Sequence, residues 1–167
     1  MQELADFQAT HETSSERTPH GAVLAVLPGV DRFHQTSDRR PEPIPPHLNS
    51  LTERIIGCAI EVHKTLGPGL LESAYECAFS IELASAGLQF LRQVECPVDY
   101  RGHPIGAYRF DLFVEGSVLV EIKSVDRFDR IFLAQVLTYL RATGCRLGLI
   151  INFNVPVLKE GIKRVAL

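Results

Sequence analysis

The chain lacks the features that would place it in several large classes. No apolar run approaches the ~20 residues that span a bilayer, and the longest candidate, 21–30, is ten residues long and holds Pro28. The N-terminus reads Met-Gln-Glu-Leu-Ala-Asp, acidic where a secretory signal is basic. No C-x-x-C pair is present, and the four cysteines, at 58, 77, 96 and 145, match no zinc or iron–sulfur spacing. They read as reduced core thiols, Cys58 and Cys77 lying inside apolar helical stretches. There are no repeats. These absences predict a soluble cytoplasmic protein with no membrane contact.

Net charge is also scarce where it would matter most. Residues 1–47 hold four Arg, no Lys and seven acids, which accounts for the whole formal charge of −3. Residues 48–167 balance 13 basic against 13 acidic side chains. A neutral domain carries no strong electrostatic footprint for nucleic acid.

What is present is a 167-residue chain with 46% apolar and 22% charged residues, sized for one globular domain. Residues 1–40 show no sustained period, with a short ordered piece expected at Val23–Leu27, and Pro41-Glu-Pro-Ile-Pro-Pro46 reads as an extended linker. Residues 1–47 are therefore read as a poorly ordered tail and 48–167 as the domain.

Ser50-Leu-Thr-Glu53 fits a capping box ahead of Ile55, Ile56, Ala59, Ile60 and His63, and Gly67-Pro68-Gly69 ends that helix. A second helix is expected over Leu70–Ala86 with Gly87 as its left-handed terminator. Leu70, Ala74, Cys77, Ile81 and Ala84 form one stripe on it, and Leu71, Ala78, Phe79 and Leu83 lie off that stripe, so the helix is expected to be covered on most sides. Phe90–Tyr100 reads as a strand broken around Pro97, and Tyr108–Val114 and Val118–Lys123 as a hairpin. A third helix spans Asp129–Ala142, closed by Gly144, and Leu147–Asn152 is a buried central strand. The segment from Leu158 to Leu167 is ambiguous. The order is α-α-β-β-β-α-β, an α/β sandwich with one mixed sheet.

Three charged residues interrupt these strands. Glu121 and Lys123 share a face by period 2. Asp111 joins them only if opposed residues keep an index sum of 232, with 115–117 as a three-residue loop. That register also gathers Phe110, Leu112 and Val114 with Val118, Val120 and Ile122 on the other face, so the apolar pattern and the charged cluster choose the same pairing. Two readings follow: a cross-strand salt bridge, or a Mg²⁺ site of hard oxygen ligands with Lys123 orienting a water or stabilising charge on phosphorus. Gln135 and Tyr139 lie at i and i+4 on the third helix, either as a polar face packed on the sheet or as part of the site. Glu72 lies in the first turn of the second helix, where the helix dipole alone favours an acid. Tyr75 serves equally well as core.

Taken in order, residues 51–165 resemble the GxxExxY family, here Gly69, Glu72 and Tyr75, with Val62–Gly69 and Asn152-Phe153 also similar. That family belongs to the PD-(D/E)XK nuclease-like superfamily. The resemblance implies a restriction-endonuclease-like core, a mixed four-stranded sheet flanked by helices. It implies Asp111, Glu121 and Lys123 as the D…ExK signature, and Gln135 and Tyr139 as a QxxxY motif. It implies Mg²⁺ or Mn²⁺ held by Asp111, Glu121 and the Ile122 carbonyl, with Glu72 as a further ligand, although Glu61 and His63 on the preceding helix also compete for that place. Lys123 would position the attacking water, Gln135 would orient water or phosphate, and Tyr139 would contact the backbone or pack beside Lys123. Arg109, Arg127, Arg130 and Arg141 lie near these residues in the chain and are the candidate phosphate contacts. The expected function is metal-dependent hydrolysis of phosphodiesters, with nucleic acid, DNA above all, as partner. The alternatives are a catalytically inactive nuclease-like binding module and a phosphodiesterase of small nucleotides. The sequence leaves oligomeric state open.

Overall fold

The first helix begins inside the proline run rather than after it. The computed structural model describes residues 43–167; residues 1–42 of the expected tail, with the piece at Val23–Leu27, lie outside the described residues, while its last two residues, Pro46 and His47, belong to the helix and so to the domain. Helix α1 spans Pro46–Leu66, with proline in its first turn, where a missing N–H costs nothing and φ is already set for a helix. The expected capping box does not form. Ser50 and Thr52 sit a turn inside the helix, where the Ser50 hydroxyl donates back to the Pro46 carbonyl (3.5 Å) and the Thr52 hydroxyl to the carbonyls of Leu48 (3.0 Å) and Asn49 (2.8 Å).

Helix α2 spans Glu72–Ser85. Gly87 ends it as expected, with φ of 69° and its N–H on the Ala84 carbonyl. The helix is not covered on most sides, and the stripe through Cys77 and Ile81 is the one left out: Tyr75, Phe79 and Leu83 are fully buried, Glu76 and Ser80 nearly so, while Cys77 and Ile81 face solvent. Both stripes have helical spacing. The aromatic one wins because it buries more surface, with Tyr75 stacked on Phe153 at 4.5 Å and Phe79 edge-on to the same ring. All four cysteines are free thiols. Cys58 and Cys96 are buried, Cys145 is half-buried, and Cys77 is not a core residue.

Five strands follow in the spatial order β1-β2-β3-β4-β5. They are β1 (Phe90–Tyr100), β2 (His103–Val114), β3 (Val118–Lys123), β4 (Leu147–Asn152) and β5 (Ile162–Ala166). Helix α3 (Arg130–Thr143) links β3 to the parallel β4, and the short α4 (Leu158–Gly161) precedes β5. The sheet is mixed, but it has five strands, not four: the ambiguous C-terminal segment is an edge strand antiparallel to β4. Its one buried residue, Val165, sits among exposed Lys163, Arg164 and Ala166, too little alternation to read as a strand. Pro97 does not break β1, because β1 is the opposite edge and needs no donor there; Pro97 pairs with Ala107.

The β2–β3 register is the expected one, with Leu112 opposite Val120, Phe113 opposite Leu119 and Val114 opposite Val118. Leu112, Val114, Val118, Val120 and Ile122 face α1 and α2 in one core. Phe113, Leu119 and Ile150 face α3 in a second core. Phe110 belongs to this second core, not to the face of Leu112 and Val114. The alternation slips at Asp111, and opposite it in β1 Gln93 adopts a positive φ of 49°. Among the described residues, no helix is long and apolar enough to cross a membrane.

Candidate active site

The regular β2–β3 ladder stops at Leu112 and Val120. One residue further, Asp111 turns its carboxylate to the neighbouring strand, and Oδ2 accepts the Ile122 N–H at 2.7 Å. A side-chain acceptor thus replaces a backbone one, and the strands separate around the charged groups. Glu121, 4% exposed, lies on the α3 side of β3. Its Oε1 accepts from Lys123 Nζ at 2.6 Å, two residues along the same face. Lys123 also lies over the Phe132 ring of α3, 5.3 Å from its centre.

The carboxylates are held against their own chemistry. Burial pushes the Glu121 carboxyl up to about 7, and the charge of Asp111 adds to it, against the opposing bond and charge of Lys123. Burial also raises Asp111, offset by the Ile122 N–H and Lys123 and reinforced by Glu76. Burial works against the Lys123 ammonium, but the bond to Glu121 and the nearby acids outweigh it and keep the proton on nitrogen. Glu121 Oε2 is buried with no hydrogen-bond partner. A buried, unpartnered carboxylate oxygen beside a second raised acid is a site short of positive charge.

Gln135 and Tyr139 share a face of α3, and Gln135 Nε2 donates to the Tyr139 hydroxyl. That hydroxyl donates in turn to the Arg109 carbonyl at 3.4 Å. Asp129 caps α3 by accepting the Ile131 N–H at 2.9 Å, and Gly144 at φ 71° ends it. Burial, with Glu121 as the next cause, pushes the Tyr139 phenol up to about 12, so the ring lies within the field of the acids while staying protonated.

Glu72 approaches from α2. Its Oε1 accepts the Ser124 N–H at 3.0 Å, immediately after Lys123, while the Ser124 hydroxyl donates to the Leu70 carbonyl at 2.6 Å. Two bonds therefore strap the start of α2 to the end of β3. Tyr75 is buried, its hydroxyl donating to the Gly67 carbonyl at 2.6 Å and accepting the Leu70 N–H at 3.2 Å. It fastens the glycine turn that presents Glu72. Glu61 and His63 do not compete for this place: Glu61 pairs with Lys64 in solvent, and the His63 ring bonds the Val155 carbonyl.

Sequence reasoning gave no site role to Glu76, Arg92, Gln93 or Asn152. Glu76 is buried and binds Arg92 (2.9 Å) and Gln93 (2.7 Å), and Gln93 also donates to Asp111 Oδ1 at 3.3 Å. The signal was the i+4 spacing of Glu72 and Glu76. Asn152, at the end of β4, accepts the Val125 N–H (3.0 Å) and donates to the Val125 carbonyl (2.8 Å), fixing the chain that leaves β3. Ile122 buries its side chain in the α1–α2 core while its backbone lies between Glu121 and Lys123. Among the described residues, no three His, Cys, Asp or Glu side chains are gathered closely enough to hold a metal ion by themselves.

A family model described as the PD-(D/E)XK nuclease superfamily matches residues 49–165. The chain belongs to the PD-(D/E)XK nuclease superfamily. The match runs from the first turn of α1 through most of β5, so it takes in every residue of the polar cluster. No curated protein and no solved structure matches the chain. PD-(D/E)XK nucleases generally depend on divalent metals, and the unpartnered Glu121 Oε2 fits that requirement, since it is an oxygen donor with no proton donor of its own.

Proposed function

We propose that the chain is a Mg²⁺- or Mn²⁺-dependent nuclease of the GxxExxY type that hydrolyses phosphodiesters of DNA. The observation that carries this reading is Glu121: a buried carboxyl raised to about 7 with one oxygen unpartnered, beside Asp111 and Lys123. Asp111, Glu121 and the Ile122 carbonyl would hold the ion, with Glu72 acting directly or through water. The bound ion supplies Lewis acidity and offsets the negative charge of the phosphodiester.

The chain's own groups do the rest. Lys123, kept protonated by the acids, places a fixed ammonium where a water or a phosphate oxygen is held. The Gln135 amide, pinned to Tyr139, orients a neighbouring polar atom with little rotational freedom. Arg109, Arg127, Arg130 and Arg141 are exposed and available to phosphates. They are also how a domain with balanced charge would meet a polyanion. The free thiols, Cys77 exposed among them, suit a reducing cytoplasm.

A second reading is a catalytically inactive module on the same fold. The 2.6 Å Lys123–Glu121 pair and the lack of three gathered ligands among the described residues favour it. Incubation of the full chain with single- and double-stranded DNA and with cyclic nucleotides, with and without Mn²⁺, tests both. Metal-dependent cleavage of DNA that is lost in Asp111→Asn and Lys123→Ala supports the nuclease. No cleavage together with no metal-induced rise in melting temperature supports the inactive module.

A further inference from the structure

Among the described residues, three that are not glycine have positive φ: Gln93 (49°), Arg101 (53°) and Glu115 (50°). Arg101 and Glu115 sit in the turns that close the β1–β2 and β2–β3 hairpins. Gln93 lies within β1 and makes no turn. The ladder keeps one register on both sides of it, Arg92 opposite Leu112 and Val94 opposite Phe110. The distortion therefore lifts one level, Gln93 and Asp111, out of the pairing without shifting the strands. A disfavoured backbone inside a strand persists only where the surroundings hold it, and such positions cluster at functional sites.

Here the holding groups are identifiable. Gln93 Nε2 donates to Glu76 Oε2 at 2.7 Å and to Asp111 Oδ1 at 3.3 Å. Glu76 is itself buried and fixed through Oε1 by Arg92 Nε at 2.9 Å. The other Asp111 oxygen accepts the Ile122 N–H at 2.7 Å. Each oxygen of Asp111 thus receives one N–H, which fixes the plane of the carboxylate and leaves lone pairs free on both oxygens. An amide suits this place. An acid would repel both neighbours, and an ammonium would cancel the charge that a cation needs.

The geometry points to Gln93 as a positioning residue: anchored on Glu76, its amide sets the Asp111 carboxylate for a divalent ion. This rests on the reading of Asp111 as a metal ligand. Outer groups that orient metal-binding carboxylates contribute about 10–100-fold to metal affinity.

The test is a Mn²⁺ titration of the full chain without DNA, followed by the metal-induced rise in melting temperature, for wild type, Gln93→Met and Gln93→Gly. Methionine keeps the length and the backbone cost but removes the donor; glycine also removes the backbone cost. Both variants are expected to need about tenfold more Mn²⁺ for half the rise, with Gln93→Gly melting above Gln93→Met in the absence of metal. Variants that respond at the wild-type Mn²⁺ concentration overturn the role of Gln93 while leaving the metal site standing. A wild type that shows no rise overturns the metal reading and the role of Gln93 with it. Should Gln93→Met fail to fold, Gln93→Gly decides alone.

Discussion

The two ends of the β2–β3 hairpin share one register and are built for opposite purposes. At the turn end, Leu112, Val114, Val118 and Val120 are completely buried, and the backbone ladder is regular. At the open end, the next level holds Asp111 and Glu121, the ladder stops, and a carboxylate oxygen is left without a partner. The first end gains stability from each atom it buries. The second gives some up, because two acids and an ammonium are removed from water with incomplete pairing. A register that served stability alone would place apolar residues at both levels. The difference is what the proposed site requires of the open end.

Substitutions at the two ends should therefore separate activity from stability. The largest effect is expected at the open end. Lys123→Ala lowers metal-dependent cleavage about a thousandfold or more, while circular dichroism and a cooperative melt show the fold retained. At the turn end, Leu112→Ala removes a fully buried side chain and costs about 2–5 kcal/mol of stability in denaturant titrations. Cleavage below its melting temperature stays near wild type. A loss of activity out of proportion to unfolding would erase the distinction between the ends.

A smaller effect sharpens it. Tyr75→Phe keeps the ring stacked on Phe153 and removes the hydroxyl that ties Gly67 and Leu70. About 1 kcal/mol of stability is lost, and the metal requirement changes little, because Tyr75 touches the turn and not the acids. The Glu of the same motif behaves differently. Glu72→Gln keeps an acceptor for the Ser124 N–H but removes a charge that acts on Glu121 and Lys123. It should weaken cleavage several-fold with stability unchanged, measured at fixed Mn²⁺.

The hairpin was readable from the sequence because two independent patterns, apolar alternation and charge placement, demanded the same index sum. The central β4 was readable because all six of its residues are buried. The α2 face was not. Two stripes had helical spacing, and only the partner ring, Phe153, chose between them. The start of α1 was misplaced because Pro46 was read as forbidding a helix, whereas a first-turn proline favours one. The slip at Gln93 and Asp111 carries no periodic signal, since a positive φ in a glutamine arises from tertiary contacts. For the same reason Phe110 moved to the other core.

Direct measurement of divalent-ion binding tests the central claim most simply. Calorimetric titration of Mn²⁺ into the metal-free full chain and into Glu121→Gln is the comparison. The account predicts saturable binding to the wild type, with a rise in stability of about 2.7 kcal/mol at a hundred times the dissociation constant, and neither in the variant. No binding to the wild type, or equal binding to Glu121→Gln, would contradict it.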